Sequence, residues 1–514
     1  MKVHSKIIAI SVAAALSAVS AIPALALENE FHGMFRLGAV ASNFEGSEAA
    51  SYYTYNGSNM FAQTGTTAAT NIRDQHPSNA TFLDQRTRVM YIAKIDNDLK
   101  LVTQFEMNSR WGDSDYAAGV SGGGAIGTDA VNLRTKDVYL DYTFHPGSLH
   151  INSKVGLMYL EDNYKGVFES NDVAAAVISS KFGDTSVRVG FSRLADNGST
   201  NYATATNSTG AANTSGATNP TPYNTNGTTF GISTGTLTNP ALGTAGISYG
   251  TVSADWWLVD VKHKVNDKLT VGGSYYLLYS DIAKKLYGSS VTTEGATYTI
   301  KYKENVHMLG VNAQGQLGPV ALDGFFLYQF GKTVDKDISA FTANLGAKSK
   351  LGPGTIKAEV IYMSGDDGKN PNRTNAFVTL AGEGSYMATD LMILARDNLL
   401  IMGRNNALWY DNNAGQGAAL AWVGYTLPLT DRLATKVNAG YGAVSARNST
   451  IVASSGRQLG TELNVQLPFK AKENLTITPR FAYAFLGDFY EHQAANGKTP
   501  DNPYKATIMM NLVF

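Results

Sequence analysis

The chain has 514 residues, a formal net charge of −1, only 16% charged residues and no cysteine. The near-neutral balance excludes nucleic acid as a partner, which demands a basic surface; the missing thiols exclude a disulfide framework, cysteine nucleophiles and thiolate-held metals or clusters. With 51 glycines, 27 tyrosines and 14 prolines, the composition suits many strands and turns rather than helices.

The first 26 residues carry a basic start (Lys2, Lys6), an apolar run over 7–19 and the small-residue site Ala24-Leu25-Ala26, which together predict a secretory signal removed before Leu27. No later stretch approaches the run of about 18 apolar residues that a membrane helix needs. An exported chain without a membrane helix, and without a cysteine for lipid attachment, is periplasmic, secreted or built into the outer membrane by strands.

The strand pattern decides between these. Residues 31–40 place Phe31, Phe35, Leu37 and Ala39 on one face and His32, Met34 and Arg36 on the other. After a polar stretch over 41–81, segments 82–95 and 99–111 flank the turn Asp96-Asn97-Asp98, the short polar turn of a hairpin. In this hairpin Leu83, Val89, Tyr91, Leu101, Phe105 and Met107 lie on the apolar faces, against Arg86, Arg88, Glu106 and Arg110 on the charged ones. One apolar and one charged face suit lipid outside and water inside. The unit recurs at 133–144/149–160, 173–181/186–194, 255–265/269–280, 305–317/320–331, 338–350/354–364, 416–427/432–445 and 457–469/474–487. Eight hairpins with a first and a last strand make 18 strands, an even number, as bacterial single-chain barrels require. The count is weakest at 365–415, where 374–380 and 387–395 read as further strands or a short helix, so 16 and 20 strands stay open as alternatives.

In the last strand, 504–514, every second residue counted back from the terminal Phe514 is apolar (Leu512, Met510, Ile508, Ala506). It resembles the closing strand of bacterial outer-membrane β-barrels, which implies that Phe514, Leu512 and Met510 form the signal read by the barrel-assembly machinery. Glu30-Phe31-His32-Gly33-Met34-Phe35-Arg36-Leu37-Gly38 is similar to the opening strand of maltoporin-type porins. The order Ser364-Gly365-Asp366-Asp367-Gly368-Lys369, then Asp397-Asn398-Leu399-Leu400-Ile401-Met402, resembles the layout of alginate-export-type porins. The expected fold is therefore all-β: a transmembrane antiparallel up-and-down barrel over 27–514, with short periplasmic turns and long extracellular loops.

Two loops draw notice. No charged residue lies between Asp196 and Asp255, so this segment is an external loop or one packed into the pore. The other is 365–415. Among inward-facing charges, Arg36, Arg86, Arg88 and Arg480 fall on strands 1, 2 and 17, neighbours once the ring closes through the last strand. Lys154, Arg188, Lys357 and Lys436 add cations, and Glu106, Asp137, Asp141, Asp323, Glu359 and Glu462 add acids. Charges of both signs around a wet constriction orient dipolar solutes, and porins of this kind set an arginine wall against acids at the eyelet. The simpler alternative is that these residues line a wet lumen and pair with one another.

Outward aromatics (Tyr91, Phe105, Tyr142, Tyr275, Tyr328, Tyr441, Phe481, Phe485) are expected to form interfacial girdles, joined by Trp256-Trp257. The inward set offers only Tyr139 and Tyr276, which counts against a sugar channel. No nucleophile–base pair or metal-ligand spacing is present in the sequence; Asp366-Asp367-Gly368 lacks the spacing of a calcium loop. The expected function is a porin passing small hydrophilic solutes and ions through the outer membrane, with lipid around it, no cofactor and an outer wall that permits a homotrimer. The alternative is a sheath around a partner such as a multihaem cytochrome, and a barrel hydrolase is a third.

Overall fold

The computed structural model describes residues 28–45, 79–113, 133–196, 253–281, 290–293, 296–299, 301–333, 335–380, 389–401, 407–409, 415–448, 456–492 and 497–514, with a few isolated positions besides. The expected signal segment and nearly all of the uncharged loop 195–254 lie outside the described residues.

The wall is built from β1 (Glu28–Ser42), β2 (Ala80–Lys94), β3 (Leu99–Arg110), β4 (Leu133–Phe144), β5 (Ile151–Glu161), β6 (Ser170–Phe182), β7 (Thr185–Asp196), β8 (Ser253–Asn266) and β9 (Leu269–Ser280). It continues through β10 (Glu304–Leu317), β11 (Val320–Lys332), β12 (Asp337–Leu351), β13 (Gly354–Met363), β14 (Ala418–Pro428), β15 (Ala434–Ala443), β16 (Gln458–Gln466), β17 (Leu475–Leu486) and β18 (Tyr504–Val513). Each strand pairs antiparallel with the next. β18 returns to β1 with Met34 opposite Val513 and Ser42 opposite Lys505. The ring closes, and the wall itself has no open edge to template aggregation.

The sheet holds 20 strands, but two are short appendages. Phe469–Lys472 runs beside β17 below β16, and Arg373–Thr374 lies parallel to the start of β12. The wall therefore has 18 staves, and the readings with 16 or 20 fall away. β13 pairs directly with β14, Thr355 opposite Thr426, so the described parts of 374–380 and 387–395 are not wall strands.

Strands of 10 to 15 residues, apart from the nine-residue β16, are long enough to cross a bilayer. Their outward residues form an apolar skin: Leu140, Val155, Val189, Leu309, Val311, Leu345, Val360, Leu463 and Ile508 are each more than two-fifths exposed. Water would penalise a contiguous surface of this kind, and lipid does not. Aromatic rings pair across its ends, as in Phe341–Tyr362 with centroids 5.4 Å apart. The two-residue turns after β6, β10 and β12 each place a glycine in the left-handed region, with φ of 58° at Gly183 and Gly318 and 57° at Gly352, the conformation a tight hairpin turn requires. Both ends of the barrel chain lie at the short-turn end, where Gly33 and Phe514 exchange backbone hydrogen bonds of 2.8 and 3.0 Å.

Candidate functional site

The lumen is eccentric. Alternation turns Arg36 on β1, Arg86 and Arg88 on β2, and Glu106, Asn108 and Arg110 on β3 inward. Arg36 stands directly opposite Arg86 in the strand register, a like-charge pairing that is unfavourable unless other groups compensate. Here the compensation lies alongside. Arg36 Nε donates to Asn511 Oδ1 at 3.1 Å and Nη1 to the carbonyl of Leu399 at 3.3 Å. Arg86 Nε donates to Asn108 Oδ1 at 2.8 Å and lies 3.3 Å from Glu106, which also holds Arg88 at 2.6 Å. Glu106 is buried at the base of this cluster, and Asn108 fixes its second oxygen at 2.7 Å. One carboxylate thus organises two guanidinium groups, of which Arg88 is 30% exposed. Further round, Lys154 lies 3.8 Å from Asp141 and 5.4 Å over the Tyr139 ring, and Asn152 donates to Asp141 at 2.6 Å. The acids nearest the arginines sit on adjacent strands. Among the described residues, β1–β4 therefore present a charged, partly exposed inner wall.

Much of the remaining wall, round to Arg36 on β1, is covered by the chain itself. Among the described residues, two connections at the long-loop end fold inward, 162–169 between β5 and β6 and the described parts of 364–417 between β13 and β14. In the second, Phe377, Val378, Leu380, Leu391–Ala395 and Ile401 are buried against the inner wall. Among the described residues, several side chains of the wall hold it. Gln329 on β11 accepts from Val378 N at 2.8 Å and donates to Val378 O at 2.7 Å, replacing a missing strand neighbour. Glu462 on β16 accepts the backbone N–H groups of Met392, Ile393 and Leu394 at 2.8, 2.9 and 2.7 Å. Arg480 on β17 pairs with Asp397 at 2.6 Å and donates to Thr507 at 2.9 Å, while Lys505 lies 2.5 Å from Glu45 and 3.5 Å from Asp397. Burial alone would push Asp397 up, but Arg480 and Lys505 hold it below the ordinary aspartate value. The segment reaches deep: Asp390 meets Lys436, near the short-turn start of β15, at 3.3 Å, and its carbonyl accepts from Gln466 at 2.9 Å.

The shorter connection is clamped by Asp162. Its carboxylate accepts from the amides of Tyr164, Gly166, Phe168 and Glu169 at 2.6, 3.0, 2.7 and 2.9 Å, and burial still pushes its pKa up to about 6. The loop lays Tyr164 and Phe168 against Trp256, Tyr276 and Phe325. Two glycines on the inner wall make room. A Cβ on Gly310 would lie 2.2 Å from Tyr164 Oη, and one on Gly440 2.7 Å from Leu391. Lys165 occupies the left-handed region at φ 62°, a conformation costing roughly 1 kcal/mol for a non-glycine residue. Below this loop, towards the short-turn end, a cavity of about 410 Å³ opens between His150, Lys181, Arg188, Asp260 and Lys262.

These positions correct several expectations. Glu462 and Arg480 face inward, but both are buried and hold the inserted segment rather than lining water. Trp256 is not a girdle residue: it is fully buried in the filled arc, and its neighbour Trp257 alone faces outward. The inward aromatics also outnumber the expected pair, since Trp256, Phe325 and Trp422 join Tyr276, packed away from any passage. Sequence reading missed Asp162, Lys165, Asp397, Glu45 and Lys505 as organising groups. A usable signal existed in the long-loop halves of β8 and β14, where Trp256-Trp257-Leu258-Val259 and Leu420-Ala421-Trp422-Val423 are apolar on both faces, the mark of a strand covered on both sides.

A family model described as alginate export matches residues 263–500. The fold is a closed antiparallel β-barrel of 18 strands. Solved structures similar to this chain include Pseudomonas aeruginosa OccK8 (OprE), 11% identical with a TM-score of 0.49, over 95% of this chain and 98% of that one. Pseudomonas aeruginosa OccK5 (OpdH) and Acinetobacter baumannii OccAB4 are each 12% identical with a TM-score of 0.47, again over 95% of this chain and 98% of theirs. No curated protein sequence matches the chain.

Proposed function

We propose that the protein is an outer-membrane porin, a channel and not an enzyme, in which small hydrophilic solutes and ions diffuse along the charged wall of β1–β4. The observation that carries this reading is the contrast across the lumen: one arc is covered by inserted chain, which reaches round to Arg36, and the next keeps Arg86 and Arg88 on the buried carboxylate of Glu106. Fixed cations beside a narrowed aqueous path favour anions over cations of the same size. The sheath reading needs a wide lumen for a partner, and here the chain's own segments occupy that space. In planar bilayers the purified protein should conduct, and Arg86→Glu combined with Arg88→Glu should move the reversal potential in a salt gradient towards cations. A folded barrel without conductance would sink the proposal.

We further propose that residues 1–26 direct export and that β18 is the assembly signal, with Phe514 closing onto Gly33. Deleting Phe514 should reduce the amount of barrel inserted in the outer membrane by about tenfold, since it removes the last register-fixing pair at the seam; normal insertion, scored by surface protease protection, would count against it.

A further inference from the structure

Loop 162–169 starts and ends on one side of the lumen, and its tip reaches another. Its base joins β5 to β6, yet the Nζ of Lys165 donates to Asn344 Oδ1 on β12 at 2.7 Å, lies 2.6 Å from Asp323 on β11, and donates to Glu359 on β13. From β6 to β12 is six of the 18 staves, about a third of the ring. The loop is therefore a chord, and Lys165 is its far attachment.

The same ammonium has an electrostatic role. Glu359 is 1% exposed, and Asp323 is 43% exposed to the lumen. These carboxylates belong to the far wall, and the charge that meets both arrives from the loop. Lys357 also lies 3.6 Å from Glu359 and retains part of the compensation there; Asp323 is the acid whose field reaches the water. The loop's own shape does not depend on the Lys165 side chain, because the Asp162 carboxylate fixes the backbone through four amides. The left-handed φ of Lys165 moreover means that glycine fits this position without strain.

We propose that Lys165 is the positioning and selectivity residue of the channel: it fastens the β5–β6 loop across the lumen and cancels the Asp323/Glu359 pair, so that the arginine wall of β1–β3 alone sets the charge preference. The proposal rests on the porin reading above.

The test compares wild type, Lys165→Arg, Lys165→Gly and the exchange pair Lys165→Glu with Glu359→Lys, each as the full-length barrel in planar bilayers under a potassium chloride gradient. Lys165→Gly should raise single-channel conductance about twofold and the cation-to-anion permeability ratio about threefold, the effect of exposing uncompensated acid in a narrow lumen. Lys165→Arg should stay close to wild type, and the exchange pair should recover most of the wild-type reversal potential. Merely loosening the loop would alter conductance, but charge exchange would not then restore selectivity. A conducting wild type whose reversal potential is unchanged in Lys165→Gly overturns this inference alone. A wild type that does not conduct overturns the porin reading and this inference with it.

Discussion

β2 and β8 have the same outward chemistry and opposite inward chemistry. Both present alternate apolar residues to lipid, Leu83, Val89 and Tyr91 on one and Trp257, Val259 and Val261 on the other. Inward, β2 offers Asp84, Arg86 and Arg88, whereas β8 offers Ala254, Trp256 and Leu258 before turning polar at Asp260 and Lys262. Lipid demands the outer pattern of every strand, so it says nothing about what fills the barrel. The inner pattern does: where it is charged the wall faces water, and where it is apolar the chain must supply its own cover. Passage and plug are thus set by one variable, the polarity of alternate residues.

The largest test of that contrast is to remove the corresponding carboxylate from each arc. Glu462 satisfies three buried backbone amides, and each buried donor left unmet costs roughly 1–3 kcal/mol. Glu462→Ala should therefore weaken the packed segment by about 3 kcal/mol or more, lower the temperature at which tryptophan fluorescence changes, and raise conductance. Glu106→Ala should cost much less stability, because Arg86 and Arg88 can turn to water, while increasing anion preference. Equal losses of stability in the two variants would show that the arcs do not differ as described.

The wall was legible from the chain, because an 18-strand ring follows from period-two alternation and turn spacing, and both survive any choice of interior residue. The inward direction of Arg36, Arg86, Arg88, Glu106, Asp141, Lys154 and Lys436 follows from the same alternation. The neighbours of these residues could not be read in the same way. Glu462 looks like any lumen acid until residues 392–394 are placed against it, and Arg480 looks like part of an arginine wall until Asp397, 83 positions away, meets it. These contacts depend on how two irregular segments fold inward, for which no periodicity exists. The double-sided apolar runs in β8 and β14 announce that something must cover them, but not which segment does.

The smallest expected effect separates the arcs by pH. Glu169 closes the inward loop at the joint where Leu380 N donates to Phe168 O at 2.8 Å. Its side chain is buried with only Asn171 beside it as a donor, and burial pushes its pKa up to about 8. A carboxyl raised above its unfolded value of about 4.3 favours the folded state fully below that value, and the contribution is lost as pH rises through the folded one. Docking of the loop should therefore weaken progressively from about pH 4.3 up to about pH 8 and level off above it, as a poorly partnered charge is forced into the joint. Asp162, raised to about 6, acts in the same direction over a lower window, so the interval from about pH 6 to 8 isolates Glu169. Amide exchange at 163–169, corrected for its intrinsic pH dependence, should accelerate a few-fold over that interval in wild type and stay flat in Glu169→Gln. The amides of β2 and β3 should show no such slope, because the charged groups of the open arc are already paired or wet. The same slope in Glu169→Gln as in wild type would remove Glu169 from the account and leave the filled arc held by packing alone.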